Sequence, residues 1–341
     1  MRAATVPGFA GRWELIEVPM VSAGPGQVVI RVRASGLCHN DVLCGDGAFG
    51  GRLPMNPPIF GHEAAGEVVE VGAGVTTRKV GDRVGTTWVQ ALCGRCDYCR
   101  RTNPPLTGMA GTGCRGPAAL SGLTVQGGHA EYFVATAAST VLLPDELSFD
   151  LAAPVLCAGY TAWSALRAGR PQPGERVAVV GIGGLGHLAV QFASACGYQT
   201  IAVTRTPDKH ELISSLGADQ VVADGKQLAE VGGADVILVT ATAAQAGVEA
   251  LPGLRDEGRL VMASIDPSGP FNLGTNSQLW ARRQQIIGAS HDGLPYLAEA
   301  LDLVATGRVT PMIEQFPADR VNEAVGLLRD GRIRFRAVIN Y

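Results

Sequence analysis

The sequence predicts an α/β protein with a rolled β-domain and a doubly wound parallel sheet of six strands. The first half of the chain holds short alternating strands between glycine and proline turns, which is typical of a small rolled β-domain. From Glu175 onward, apolar strands alternate with helical stretches as two βαβαβ halves. A glycine-rich loop follows the first of those strands, which indicates a dinucleotide-binding sheet.

Composition narrows the class of protein before any motif is considered. A chain of 341 residues suggests two domains. Its formal net charge of −3 lacks the positive excess expected of a protein that binds nucleic acid or an anionic membrane. No run of eighteen apolar residues exists, and the N-terminus leads into patterned sequence without an apolar signal core. We therefore expect a cytoplasmic protein that acts on a small molecule, without a nucleic-acid or membrane partner.

The first domain is predicted to comprise residues 1–148 together with 290–341. Its strands are predicted at residues 27–33, 66–72, 80–85 and 130–134. The last part of the chain holds two helical segments and a terminal strand at residues 337–339, which we expect to return to this domain.

The second domain is predicted to comprise residues 149–289. Ser148 is a plausible helix cap, and residues 151–166 have the periodicity of a helix that contains Cys157. Six strands are then predicted at residues 177–180, 200–204, 220–223, 236–239, 260–262 and 286–289.

Two short stretches, Gly-Leu-Cys-His-Asn-Asp at residues 36–41 and Gly-His-Glu at residues 61–63, contain most of one metal site. Cys38 and His62 each lie close to a glycine and a carboxylate, as zinc ligands with supporting partners do. A catalytic zinc takes three protein ligands and keeps a fourth position open, so one more ligand is needed. Cys157 supplies the second thiolate; the alternative is a cysteine of the core.

A second group of cysteines has different spacing. Cys93, Cys96 and Cys99 lie three residues apart, which is too regular for disulfide partners and suits a small metal knuckle. We therefore expect reduced thiolates.

The nucleotide loop lies directly after the strand at residues 177–180 and before an amphipathic helix. Its glycines allow a tight turn and leave a pyrophosphate on the helix N-terminus, where unpaired amides favour anions. The alternative is a structural glycine turn. The predicted cofactor contacts in the loop are Gly181, Gly183, Gly184, Leu185 and Gly186.

The end of the next strand favours NADP over NAD. An acidic residue there would bind the ribose of NAD, but this chain has Thr204 and Arg205. A hydroxyl and a guanidinium would receive a 2′-phosphate, and Lys209 could add a contact. The alternative for Arg205 is a solvated surface charge.

Six motifs, in the order GLCHND, GHEAAGEVVEVG, GDRVG, CGRCDYC, AAPVLCAGYT and GIGGLGHLAVQ, span nearly the whole chain. In them the chain resembles the zinc-dependent alcohol dehydrogenases of the medium-chain dehydrogenase/reductase superfamily. The resemblance implies a GroES-like catalytic domain, a Rossmann domain, and Zn²⁺ as both a catalytic and a structural ion. It also implies a homodimer or homotetramer, for which residues 286–289 are a plausible joining strand.

The resemblance also assigns roles to single residues. It implies that Cys38, His62 and Cys157 bind the catalytic zinc, that Glu63 can approach the metal, and that Asp41 orients His62. His39 resembles the residue near the cofactor pyrophosphate, and Thr161 resembles the hydroxyl beside the nicotinamide. Trp88 resembles an aromatic wall of the substrate pocket, with a packing role as its alternative.

The cysteine knuckle resembles the structural zinc lobe of the family but departs from its spacing. The family places its fourth cysteine eight residues after the third, where this chain has Thr107. An insertion before Cys114 would keep coordination by Cys93, Cys96, Cys99 and Cys114. The alternative is a degenerate lobe without metal.

The implied reaction is hydride transfer between a nicotinamide cofactor and an alcohol, aldehyde or ketone, with the substrate oxygen on zinc. In the family a serine or threonine two residues after the first cysteine starts a proton relay, and here this residue is Asn40. An amide cannot pass a proton as a hydroxyl does. The alternatives are NADPH-dependent reduction of an activated C=C bond and, in another class, a non-catalytic relative without zinc.

Other candidate residues have less support from their surroundings. His129, His187 and His210 lack a second ligand type at useful spacing, so structural or surface roles are predicted for them. Leu294 stands where many relatives carry an arginine that contacts cofactor phosphate, and His291 is a candidate substitute.

Overall fold

The computed structural model describes residues 1–48, 55–100, 114–266, 269–274 and 276–341. Its contacts divide the chain into two compact units. Unit 1 comprises Met1–Cys157, His291–Ala305 and Pro311–Tyr341, and unit 2 comprises Ala158–Ser290 and Thr306–Thr310. The domain bounds predicted from the sequence stay a prediction.

The described residues form seventeen β-strands and ten α-helices. The strands are β1 Arg2–Thr5, β2 Glu14–Glu17, β3 Gln27–Leu37, β4 Ala64–Val71, β5 Arg83–Thr86, β6 Val89–Ala91, β7 Ala119–Leu120, β8 Tyr132–Thr136, β9 Thr140–Leu142, β10 Arg176–Val180, β11 Gln199–Val203, β12 Gln220–Val222, β13 Ala234–Val239, β14 Leu254–Met262, β15 Gln285–Gly288, β16 Ile313–Pro317 and β17 Arg336–Asn340. The α-helices are α1 His39–Gly45, α2 Phe149–Ala152, α3 Ala158–Gly169, α4 Gly186–Ala195, α5 His210–Ser215, α6 Gly225–Glu230, α7 Gln245–Ala250, α8 Ser277–Ala281, α9 Leu294–Ala305 and α10 Val321–Arg329. In this described part of the chain, no helix has the length and apolar character needed to cross a membrane.

The main sheet of unit 1 has seven strands in the order β16-β17-β3-β4-β5-β9, and β8 also pairs with β3. Its long strand β3 shifts register against β4 between Val29 and Ile30 and again between Val32 and Ala34. Such irregularities bend a strand and increase its twist, so the sheet can roll around its own core. That core contains Val28, Ile30, Val68, Val84 and Phe133. The predicted GroES-like rolled domain is confirmed.

Three strands of this sheet bring distant parts of the chain to one place. β3 ends at Leu37, directly before Cys38 and α1, and β4 begins directly after Glu63. The terminal strand β17 pairs antiparallel with β3, so that Ala337 lies opposite Leu37. Residues near the start and the end of the chain therefore meet at one end of β3.

Unit 2 contains a parallel sheet of six strands in the order β12-β11-β10-β13-β14-β15. The order reverses between β10 and β13, as in doubly wound dinucleotide-binding folds. All five residues of β10 are buried, and the core of the sheet includes Ile201, Ile237 and Leu260. The predicted six-stranded Rossmann sheet is confirmed.

The helix predicted around Cys157 is interrupted. α2 ends at Ala152, a 3₁₀ turn covers Ala153–Leu156, and α3 begins at Ala158. Pro154 has no N–H group to continue α-helical hydrogen bonding, which explains the tighter turn. Cys157 itself has φ −127° and ψ −67°, outside helical geometry, so its side chain is set by the break rather than by a helix face.

Candidate metal centres and cofactor loop

Four buried side chains of unit 1 converge on one point. Ligand atoms of Cys38, His62, Glu63 and Cys157 all lie within 4.8 Å of one another. Cys38 stands between β3 and α1, His62 and Glu63 precede β4, and Cys157 occupies the helix break. Two sulfurs, an imidazole and a carboxylate are donors that zinc accepts in proteins.

Asp41 fixes the orientation of His62. One oxygen of its carboxylate, Oδ1, accepts hydrogen bonds from the backbone N–H of Gly61 at 3.1 Å and from Nδ1 of His62 at 2.9 Å. Because a carboxylate only accepts, Nδ1 carries the hydrogen and Nε2 keeps its lone pair. This Nε2 atom is buried and has no hydrogen-bond partner. A buried lone pair without a partner, close to two thiols, fits a zinc ion.

The two sulfurs of this group differ in acidity. A hydrogen bond from the Cys157 thiol lowers the pKa of Cys38 well below its ordinary value, although burial acts in the other direction. Cys38 is therefore the sulfur that loses its proton first. A thiolate is the form of cysteine that binds metal ions.

Glu63 is held by an arginine that the sequence reasoning did not identify. Nη2 of Arg336 lies 2.6 Å from both carboxylate oxygens, and both side chains are buried. A side chain at Gly36 would clash, since its Cβ would lie 2.0 Å from Oε2 of Glu63. Burial raises the pKa of Glu63 to about 7 despite the charge of Arg336. The available signal was an arginine that opens strand β17, directly before three apolar residues.

Three predicted residues lie on or near the same elements. His39 is exposed and Asn40 is half-buried, and both belong to the first turn of α1. Trp88 is buried, and its ring centroid lies 5.5 Å from that of His62 with an interplanar angle of 31°. Trp88 therefore packs against a residue of the cluster, which fits either of the roles predicted for it.

His291 is a buried neighbour of the same cluster. Its Nε2 lies 3.3 Å from the carbonyl oxygen of Cys157, which can only accept, so Nε2 carries the hydrogen. Burial lowers the pKa of His291 to about 3. The role suggested for His291 in place of an arginine stays a prediction.

The second cluster consists of Cys93, Cys96, Cys99 and Cys114, whose sulfurs also lie within 4.8 Å of one another. None of the eight cysteines, all of which lie in described segments, forms a disulfide. Backbone N–H groups of Cys99 and Arg115 lower the pKa of Cys96 to about 6. Four sulfurs in this arrangement fit a closed tetrahedral zinc site. The proposed insertion, with Thr107, falls on residues 101–113 and lies outside the described residues.

The nucleotide loop has the backbone geometry that its glycines predict. Gly181 has φ +89°, and a Cβ there would lie 2.6 Å from Ala241. A Cβ on Gly186 would lie 2.1 Å from the carbonyl oxygen of Gly181. At Gly183 nothing lies within 4 Å of such a Cβ, so the loop is open on that side. α4 begins at Gly186, after Gly184 and Leu185, and points its N-terminal amides toward the loop.

The remaining cofactor candidates also lie in unit 2. Thr204 follows β11, and its Oγ1 accepts from the N–H of Thr206 at 3.3 Å. Arg205 is exposed, and Lys209 ends a short 3₁₀ turn at Pro207–Lys209. Thr161 is half-buried in the first turn of α3. Thr204, Arg205 and Lys209 therefore lie on one connection after the second strand of the sheet.

Comparisons with known proteins agree over the whole chain. Residues 24–145 match the family model for the alcohol dehydrogenase GroES-like domain, and residues 184–306 match the zinc-binding dehydrogenase model. An alcohol dehydrogenase of Geobacillus stearothermophilus is 38% identical over an alignment of 349 positions, which covers 99% of this chain and 99% of that one. A cobalt- and zinc-bound thermostable alcohol dehydrogenase from Pyrobaculum aerophilum is 30% identical with a TM-score of 0.86, covering 100% of this chain and 99% of that one. An acetophenone reductase from Geotrichum candidum in complex with NAD is 25% identical with a TM-score of 0.82, covering 100% and 97%.

Proposed function

This chain belongs to the zinc-dependent alcohol dehydrogenases of the medium-chain dehydrogenase/reductase superfamily, and on that premise we propose which reaction it catalyses. The proposed reaction is hydride transfer between a nicotinamide cofactor and the carbon of an alcohol, aldehyde or ketone. The observation that carries the proposal is the buried, unpartnered Nε2 of His62 among two thiols and a carboxylate.

Cys38, His62 and Cys157 would hold the catalytic zinc. When bound, a zinc ion with one open position supplies Lewis-acid polarisation of a substrate oxygen. Glu63 is the fourth nearby donor, but its two oxygens are already bonded to Arg336, which favours three protein ligands over four. The four sulfurs of the second cluster would hold a structural zinc and leave no open position.

The cofactor would lie on unit 2, with its pyrophosphate on the loop before α4 and its hydride supplied or accepted by the nicotinamide. In this proposal the imidazole of His39 contacts the pyrophosphate, and the hydroxyl of Thr161 lies beside the nicotinamide. Thr204, Arg205 and Lys209 would bind a 2′-phosphate. The proposed assembly is a homodimer or homotetramer joined through β15, beside which Trp280 is 82% exposed.

A steady-state screen of aliphatic and aromatic alcohols, aldehydes, ketones and enals with NADPH and NADH tests this proposal. We expect carbonyl reduction and a preference for NADPH of about tenfold or more in kcat/KM, since hydrogen bonds to a charged group contribute roughly 1.5–3 kcal/mol. A preference for NADH, the nucleotide of the Geotrichum relative, would refute the role of Arg205. Absence of zinc from the purified protein would refute the enzyme proposal and favour the non-catalytic alternative.

Asn40 supports a second candidate function, the reduction of an activated C=C bond, because its amide cannot relay the proton of an alcohol. In this candidate the proton reaches the substrate by another route. Reduction of enals without reduction of the matching saturated aldehydes would favour it over carbonyl chemistry.

Substitution of Asn40 by threonine tests the relay directly. We expect the kcat for alcohol oxidation to rise about tenfold or more, because a positioned proton-transfer group contributes roughly 10²–10⁴-fold. Asn40→Val is the matched control, since valine has the shape of threonine without its hydroxyl. Equal rates for the two variants, measured across the pH range of activity, would show that the side chain at this position carries no proton.

A further inference from the structure

His129 belongs to none of the predicted sites, yet it lies beside the catalytic cluster. It precedes β8, and its side chain is fully buried. Its Nε2 lies 3.4 Å from Oδ2 of Asp41, the carboxylate that orients His62. This contact is longer than the hydrogen bond of 2.9 Å between Asp41 and His62, and only an N–H on Nε2 of His129 can face the carboxylate favourably, because the carboxylate can only accept.

Asp41 is surrounded symmetrically by donors. Its Oδ1 accepts from the Gly61 amide at 3.1 Å and from the imidazole of His62 at 2.9 Å. Its Oδ2 accepts from the Cys38 amide at 2.9 Å and faces the imidazole of His129. Each carboxylate oxygen therefore accepts from one backbone amide and lies next to one imidazole, His62 by a hydrogen bond and His129 by a contact at 3.4 Å.

The position of the His129 ring is fixed by its surroundings. Its backbone N–H donates to the carbonyl of Phe60 at 2.9 Å, and its own carbonyl accepts from the N–H of Ala4 at 2.8 Å. The ring meets Trp13 edge-on, with centroids 6.0 Å apart and an interplanar angle of 74°. Gly61 makes room for it, since a Cβ there would lie 2.8 Å from Cγ of His129.

The carboxylate of Asp41 lies between the two rings. The amides of Cys38 and Gly61 and the imidazole of His62 hold it by hydrogen bonds of 2.9–3.1 Å, and the ring of His129 lies against its remaining side. The contact with a second buried imidazole at 3.4 Å limits rotation of the carboxylate, and therefore limits movement of the His62 ring.

We propose that His129 is a positioning residue for the catalytic zinc, which acts through Asp41 on the orientation of His62. This inference rests on the proposed function, in which His62 is a zinc ligand. Its chemistry extends the usual carboxylate–histidine–metal arrangement by one imidazole, into a chain His62–Asp41–His129.

The test measures transfer of zinc from the loaded enzyme to the chromogenic chelator 4-(2-pyridylazo)resorcinol. In His129→Phe, which keeps an aromatic ring but loses the N–H, we expect the catalytic zinc to be bound about tenfold more weakly, the lower end of the range for outer partners of a metal ligand. His129→Gln keeps an N–H donor near the position of Nε2, and we expect it to restore most of the affinity. Zinc in the four-cysteine cluster is the internal reference and should transfer at the wild-type rate.

A second readout separates positioning from general stability. In the cobalt-substituted enzyme, His129→Phe should shift the visible absorption of the catalytic site, whereas His187→Phe should not. His187 is also fully buried but lies in unit 2, which makes it the control for the loss of any buried histidine.

Three outcomes would overturn the inference. In the first, zinc transfer from His129→Phe matches the wild type; in the second, His129→Gln behaves like His129→Phe. The third applies if His129→Phe folds poorly. If the variant then loses the same thermal stability relative to the wild type with zinc as without zinc, His129 has a general structural role and the inference is overturned. A wild-type chain that binds no zinc outside the four-cysteine cluster would instead refute the proposed function, and this inference with it.

Discussion

Replacement of Cys157 by serine is expected to lower kcat/KM about a thousandfold or more, because metal polarisation of a reacting oxygen is worth several kcal/mol and each 1.36 kcal/mol is a factor of ten. Serine keeps the size of this buried side chain, but its hydroxyl stays protonated at neutral pH and does not replace a thiolate. Elemental analysis should find one zinc per chain instead of two. Steady-state kinetics on the same preparation then gives the loss of activity.

Cys114→Ser is the matched control, because it removes one sulfur from the other cluster. We expect this variant to lose the structural zinc and thermal stability, while the folded fraction keeps its activity per catalytic zinc. The contrast between the two serine variants assigns chemistry to one cluster and structure to the other. A Cys157→Ser enzyme with two zinc ions and normal activity would exclude Cys157 as a ligand.

Local sequence patterns predicted the sites whose members lie within one segment or share a recognisable motif. Cys38 and His62 were identified by their ligand chemistry. Cys93, Cys96 and Cys99 were identified by their spacing, because side chains three residues apart in a short loop can meet. The Rossmann sheet was predictable for the same reason, since each strand and the following helix form one local pattern. The exception is β14, which begins at Leu254 although the prediction began at residue 260. Glu257, with φ +59°, resembles a turn in sequence but lies within the strand.

Residues brought to the site by strand pairing could not be predicted in this way. Arg336 reaches Glu63 across 273 positions of sequence, because β17 pairs with β3 beside Gly36. His129 reaches Asp41 because its backbone bonds to Phe60. Each residue stands beside a predicted strand, and nothing in the local sequence links it to the metal ligands, so both resembled ordinary core or surface positions. The break at Cys157 was missed because Pro154 lies inside an otherwise helical apolar pattern.

At about pH 9, above the pKa of Glu63, Arg336→Met is expected to lower the free energy of unfolding by about 3–5 kcal/mol, the usual cost of removing one partner from a buried ion pair. Methionine fills much of the arginine's volume, so the loss reflects the unpaired Glu63 rather than a cavity. The measurement is denaturant unfolding at equilibrium. Glu63→Gln combined with Arg336→Met should recover most of the loss, because neither residue then buries a charge. A single variant as stable as the wild type would show that the pair contributes little.

The pH dependence of the same experiment, carried out on the zinc-free protein, tests the cause. The pKa of Glu63 is about 7 in the folded protein, above its ordinary value of 4.5, so the folded state binds a proton that the unfolded state has released. Its contribution to stability is therefore complete below pH 4.5 and is lost as the pH rises through 7. Removal of Arg336 takes away the charge that lowers this pKa, so the decline should extend to higher pH in Arg336→Met. In Glu63→Gln the free energy of unfolding should not fall as the pH rises through 7, because the titrating carboxyl is absent. A fall of the same size in Glu63→Gln would show that another group causes it.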